Sequence, residues 1–377
     1  MPVPPLGLYI HLPWCERKCP YCDFNSHELS ERPERAYVDT LLRDLDNDLS
    51  LAKDRIVDTV FIGGGTPSLF QVSAIDTLLR GIKNSVTLSV DAEITLEANP
   101  GSAEADKFIG LKEAGINRLS IGVQSFADAQ LNALGRVHDR EQALRAIALA
   151  RQAGFDNFNL DLMHGLPGQS LQGATEDLKQ AISTGAPHIS WYQLTIEPNT
   201  IFYKQTPRLP TEDSLASIQQ AGEQRLNREN YAQYEVSAYS KEGFQCRHNR
   251  NYWTFGDYLG IGAGAHGKVT SSDGRIVRRA KRRQPADYMA AIDAAFVSST
   301  RVLNNSEVIG EFMLNALRLN EGFSLSLFAD RTGLDCATVE PRIASLCERG
   351  LLLQQGAHVA TTELGRRFLD TVVAEFF

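Results

Sequence analysis

A chain of 377 residues, 43% hydrophobic and 22% charged, can bury one large core and a smaller second one. Its formal net charge of −8 argues against a general nucleic-acid binder, which needs an excess of Lys and Arg to meet phosphate. There is no run of about 18 apolar residues to cross a bilayer, and "MPVPPLGLYIHLPW" lacks the basic and apolar regions of a signal peptide. Six cysteines, three of them packed between Cys15 and Cys22, do not form a secreted disulfide framework, so a reducing cytoplasm is expected.

In chain order, the first strand is "LGLYIHLP". It runs into "CERKCPYCDF", which sets Cys15, Cys19 and Cys22 at C-x3-C-x2-C spacing. Three thiolates can hold three irons of a [4Fe–4S] cube and leave the fourth open, or they can belong to a zinc site completed by His11, His27 or Cys246. A helical stretch, "RAYVDTLLRDLDNDLSLA", leads to a second strand, "TVFIGGG", whose glycines let backbone groups approach a ligand with no Cβ in the way. Then "AIDTLLRGIKNS", "SAEADKFIGLKEAG" and "DREQALRAIALARQAG" read as helices, and Gly115 and Gly154 mark helix ends. The strands "AEITLEANP", "NRLSIGVQS", "NFNLDLMHGLP" and "HISWYQLTIEP" complete a set of six.

This alternation predicts parallel strands joined by helical crossovers, as an open sheet or a barrel. Polar and glycine-rich sets stand at the C-terminal ends of successive strands. Those ends converge on one face of a (β/α) barrel, so an α/β, incomplete TIM-like barrel is expected over residues 1–265. Residues 266–300 form a basic connecting segment, and 301–377 a smaller, mostly helical, winged-helix-like domain. Such a module serves packing or protein contact as well as DNA, and the acidic chain disfavours DNA. Cys336 and Cys347 lie on helical patterns there and read as buried small hydrophobes.

The C-x3-C-x2-C spacing, with Tyr21 before the third cysteine and "GGGTP" one strand later, resembles a radical S-adenosylmethionine (SAM) protein. More closely, "LYIHLPWC", "GGGTPS", "TLEANPG", "RLSIGVQSF", "LGRVH" and "NLDLMHGLPGQS" follow in order the pattern of the HemN/HemW group, the coproporphyrinogen-dehydrogenase-like radical SAM family, over essentially the whole chain. The resemblance implies a [4Fe–4S] cluster on Cys15, Cys19 and Cys22. SAM would chelate the open iron and be cleaved by one electron to methionine and a 5′-deoxyadenosyl radical. It also implies that Tyr9 packs beside the cluster and Tyr21 lies in the cofactor site, that Gly64, Gly65 and Thr66 contact the methionine part of SAM, and that Glu97, Gln124, Arg136 and Asp161 complete the site. Arg136 suits a carboxylate as a fork, and Asp161 suits ribose hydroxyls. Each alone is an ordinary strand-end polar residue; their order together carries the reading.

The group divides into enzymes that oxidatively decarboxylate two propionates of coproporphyrinogen III and haem chaperones that hand haem to acceptor proteins of respiration. The enzyme branch carries a further cysteine two residues past the third, where this chain has Phe24. "HNRNYW" matches the H-N-x-x-Y-W signature of the chaperone branch. It offers His248 to haem iron, Asn249 to orient it, and Tyr252 and Trp253 to cover a porphyrin face. Read alone, the same stretch is a packed loop with a satisfied histidine. Cys246 is a second candidate ligand or attachment point, although "CRH" is not the c-type pattern C-x-x-C-H. The run Arg275, Arg278, Arg279, Lys281, Arg282 and Arg283 reads either as a solvated hairpin or as a surface for haem propionates, an anionic bilayer or an acidic partner. The expectation is a cytoplasmic haem chaperone, no residue being assigned as catalytic. Its partners are haem, haem-accepting respiratory proteins and an electron donor, with peripheral membrane contact through the basic run. The alternative is an oxygen-independent coproporphyrinogen III dehydrogenase.

Overall fold

A computed structural model describes residues 2–29, 32–101 and 106–377. All six predicted strands form, in the predicted order: β1 Leu6–Leu12, β2 Ile56–Gly64, β3 Thr87–Ala98, β4 Arg118–Gln124, β5 Phe158–His164 and β6 His188–Gln193. Each pairs in parallel with the next. Further strands extend both sides: β7 Ala232–Glu235 and β8 Ala238–Ser240 beyond β6, and β9 Asp257–Ile261 beside β1. Beyond β9 come β10 His266–Thr270, β11 Ile276–Lys281 and β12 Val297–Val302, all antiparallel. The result is one 12-stranded sheet, ordered β12-β11-β10-β9-β1-β2-β3-β4-β5-β6-β8-β7, whose edges do not pair with each other.

Strand alternation builds two surfaces. Leu6, Leu8, Ile10 and Leu12 of β1 join the main apolar core, together with Tyr37, Val38, Leu41 and Leu45 of the helix Glu34–Asp48. The intervening Gly7 and Tyr9 face the other way, toward Thr59, Phe61 and His248 inside the curved sheet. The helices run close to prediction: Glu34–Asp48, Val72–Ser85 and Arg140–Gln152, the last opened by an Asp139–Gln142 capping box. Gly115 caps the helix Phe108–Ala114 with φ +114°. Residues 102–105, the predicted start of that helix, lie outside the described residues. A second apolar cluster gathers the C-terminal helices around Phe312, Phe328 and Ile343, with the hairpin Leu352–Gln355 and His358–Thr361 as a small wing. Cys336 and Cys347 pack half-buried against it.

The basic run is only in part a basic surface. It lies along β11 and on either side of it, and the three cations within β11 are turned onto acids from elsewhere in the chain. Arg278 pairs with Glu311, Arg279 with Asp48, and Lys281 with both Asp44 and Asp48. Arg275 pairs with its neighbour Asp273, and Arg282 donates to the Ala295 carbonyl. Arg282 and Arg283 have no ion pair among the described residues. Lys281, Asp44 and Asp48 are almost wholly buried, and Tyr288 also donates to Asp44. Removing one member of such a cluster strands the others. Lys281→Ala is therefore expected to cost about 3–5 kcal/mol in chemical denaturation, whereas Arg275→Ala leaves the midpoint nearly unchanged.

Candidate functional site

The C-terminal ends of β1 to β6 converge on a cavity of about 770 Å³. Cys15, Cys19 and Cys22 all line it, with Tyr21 between the last two. A loop rather than a helix carries them, and the loop is fixed by a chain of hydrogen bonds. Tyr9 O–H donates to His11 Nδ1, His11 Nε2–H donates to the Asn25 carbonyl, and the Asn25 amide donates to the carbonyls of Ala263 and Arg283. Thr66 Oγ1 lies 3.6 Å from Cys15 Sγ, and Arg136 Nη1 lies 3.6 Å from Cys19 Sγ. Burial pushes the thiols of Cys15 and Cys22 above their ordinary value. Among the described residues, no three His, Cys, Asp or Glu side chains are grouped so as to hold a single metal ion.

The glycine triplet does what its sequence suggests. A Cβ on Gly65 would sit 2.5 Å from the Trp14 carbonyl oxygen, and Gly64 adopts φ +118° with the His11 ring 2.7 Å from where a Cβ would be. Gly64 N–H donates to Glu97 Oε2. Gln124 takes φ +67° where the β4–β5 register breaks, a rare conformation for a residue other than glycine. Its Oε1 accepts from Tyr192 O–H.

Charge is unevenly distributed around the wall. Arg136 donates to Asn99 Oδ1 and the Gly122 carbonyl beside the cysteines, and its Nε is buried with no partner among the described residues. Opposite in sign, Glu97 and Asp161 line the cavity and make no salt bridge among the described residues. Asp161 accepts from Ser120 and Asn159, and burial still raises its pKa. Burial, and next the charge of Asp161, pushes Glu97 up to about 7. A ligand carrying a cationic amine and hydroxyl groups would meet both carboxylates.

Of the residues expected in the cofactor site, Tyr21, Gly64, Gly65, Thr66, Glu97, Gln124, Arg136 and Asp161 line the cavity. Tyr9 does not; it stacks on Phe61 and reaches the glycine turn through His11. The "HNRNYW" stretch is not a loop but a short helix, Arg247–Trp253, set against the inner face of the sheet. Positions four apart share a helix face, so its residues separate into two pairs. Asn249 and Trp253 line the cavity. His248 and Tyr252 pack behind it, bonded to each other at 2.8 Å, and His248 Nδ1 is bonded to Thr59 Oγ1 at 2.8 Å. Both ring nitrogens of His248 are thus engaged, and burial lowers its pKa to about 3. Cys246 is also closed off, buried against Glu93, its thiol pushed up to about 12 mainly by burial.

Glu93 is the residue that sequence reasoning missed. Its carboxylate accepts from the backbone N–H groups of Arg247 and His248, capping the helix from across the lumen. The alternation of β3 could have flagged it, since Glu93 shares a strand face with Glu97.

Residues 9–181 match the radical SAM superfamily, and residues 303–368 match the HemN C-terminal domain. The chain is 50% identical over 375 residues to the protein named heme chaperone HemW of Escherichia coli K12, covering 99% of this chain and 98% of that one. It is 34% identical to the Bacillus subtilis protein of the same name, over 98% of each chain. It is 37% identical to the mouse mitochondrial radical S-adenosyl methionine domain-containing protein 1, over 97% of this chain and 86% of that one. In structure it resembles the coproporphyrinogen III oxidase HemN of Escherichia coli, a radical SAM enzyme, at a TM-score of 0.85 and 22% identity. That match covers 100% of this chain and 91% of that one.

The raised pKa of Glu97 has a pH signature. A carboxyl whose folded value lies above its ordinary 4.5 binds more protons folded than unfolded. Its contribution is complete below the unfolded value and is lost as pH rises toward about 7. Glu97→Gln, which cannot ionise, should gain stability relative to the parent between pH 5 and 7.5, as read by denaturant midpoints at both pH values. An unchanged difference would contradict a carboxylate buried without a cation.

Proposed function

The chain belongs to the HemW family of radical SAM proteins, and on that premise we propose that it is a haem chaperone, binding haem and passing it to haem-accepting proteins of respiration. The observation that carries the reading is the 50% identity, over nearly the whole of both chains, to a protein named as a heme chaperone. The likeness to HemN, at 22% identity, bears on the fold alone. Phe24, more than half exposed at the rim, occupies the position of the additional cysteine expected of decarboxylating relatives.

Radical SAM membership implies a [4Fe–4S] cluster and SAM, and the donor set suits them. Three thiols open onto one cavity, two carboxylates without a salt bridge stand ready for an amine and for ribose hydroxyls, and a glycine edge admits a close backbone approach. When bound, these groups supply one-electron chemistry. Cys15, Cys19 and Cys22 would hold the cluster. Glu97 and Asp161 would accept hydrogen bonds from SAM, and Arg136 would meet its carboxylate. Tyr21, Gly64, Gly65, Thr66 and Gln124 would shape the remaining wall, and Tyr9 would keep His11 in place behind it. Haem would enter on the side of Asn249 and Trp253, with His248 and Tyr252 behind them. A cytoplasmic setting and an electron donor complete the proposal.

Anaerobically reconstituted protein mixed with haemin should develop a saturable Soret band, and should form no protoporphyrinogen IX or carbon dioxide from coproporphyrinogen III with SAM and reductant. Formation of those products would overturn the chaperone-only reading. For His248 to reach iron, a bond to Thr59 or Tyr252 must be given up. Each such bond is worth about 1 kcal/mol net. Thr59→Val combined with Tyr252→Phe should therefore strengthen haem binding roughly fivefold, while His248→Ala weakens it. If the double variant leaves the affinity unchanged, the iron ligand is another group.

A further inference from the structure

Away from the cysteines, part of the cavity wall is assembled from three separate pieces of chain. Glu235 and Ser237 come from the β7–β8 connection, Asn249 and Trp253 from the short helix, and Arg318 from just beyond the helix Asn305–Ala316. Arg318 stacks on Trp253, its guanidinium carbon 4.3 Å from the ring centroid. Its Nη2 donates to Glu235 Oε2 at 3.1 Å. A guanidinium carries five N–H donors and no acceptor, and among the described residues this is the one side-chain bond it makes. Arg318 Nε and the indole Nε1 of Trp253 are both buried with no hydrogen-bond partner among the described residues. Glu235 Oε1 is already engaged, accepting from Ser237 N–H and Oγ–H. A guanidinium Nε–H and an indole N–H left unpaired in residues that line one cavity wall are costly unless a ligand brings the acceptor.

We infer that Trp253 and Arg318 form a carboxylate subsite, which takes the acid-bearing edge of a planar ligand. The indole lies against the ring system, and Arg318 pairs with the carboxylate through donors that Glu235 leaves free. The identity of that ligand as haem, with its propionates as the carboxylates, rests on the function proposed above. None of the basic residues of β11 contributes, since they are turned onto acids of the chain.

The test titrates the full-length, cluster-reconstituted protein with haemin and, separately, with haemin dimethyl ester, which keeps the macrocycle and iron but loses both charges. The Soret change is followed. The parent should bind the acid at least tenfold more tightly than the ester. Arg318→Met should abolish that preference without abolishing ester binding, Arg318→Lys should keep part of it, and Trp253→Phe should weaken both ligands severalfold. Equal affinity for acid and ester in the parent overturns the subsite while leaving haem binding intact, and it needs no variant to fold. An acid-to-ester ratio that survives in Arg318→Met also overturns it. No saturable Soret change with either ligand overturns the haem reading and the subsite together.

Discussion

The parallel strands curve around a polar interior without closing, so part of that interior must be walled by chain that is not strand. This constraint decides most of what surrounds the cavity. The helix Arg247–Trp253 does the walling, and Glu93 holds it there by accepting its first two backbone N–H groups across the lumen. Once the helix is anchored by that end, its period turns His248 and Tyr252 toward β1 and β2 and presents Asn249 and Trp253 to the cavity. Arg318 fills the remaining gap from the C-terminal part of the chain. The site is therefore built by the barrel, by a plug and by a distant segment together.

The electrostatics of the cavity follow the same division. Beside the cysteines a buried guanidinium, Arg136, faces sulfur and carbonyl groups. Across from it are two carboxylates that burial makes costly to ionise. A low-dielectric wall with a cation on one side and carboxylates outside any salt bridge on the other favours a ligand that is itself asymmetric in charge. A zwitterion with hydroxyl groups matches that asymmetry, and a plain hydrocarbon does not.

What the sequence reveals and what it hides follow from range. The six barrel strands announce themselves because each is an apolar run ended by glycine or polar residues, and most of the cavity wall they build is visible because such ends must meet in a parallel barrel. Asp257–Ile261 was not legible. It is five residues long, and its partner β1 lies at the other end of the chain, so no local pattern marks it. The basic run misleads for a related reason. Its charges can be counted from the sequence, but Asp44, Asp48 and Glu311, which neutralise them, are brought in only by the fold. "HNRNYW" does not reveal which of its side chains reach the cavity, because so short a stretch shows its face only when its helical state is known. Glu93 looked like one more polar residue on a strand. Its role depends on a helix more than 150 residues later.

The cluster of Lys281 with Asp44 and Asp48 has a consequence for how the protein can be divided. The helix Glu34–Asp48 follows directly on the cysteine loop and belongs to the segment matched as radical SAM, residues 9–181. Its two buried acids are neutralised from β11, and Asp44 also accepts from Tyr288, both β11 and Tyr288 lying far outside that segment. A fragment cut after the matched residues would leave two carboxylates facing an apolar interior with no cation, and β1 without its neighbour β9. The portion most easily recognised as a module is therefore not an independent folding unit. A recombinant exchange of barrels between relatives would have to carry the late strands along with the early ones.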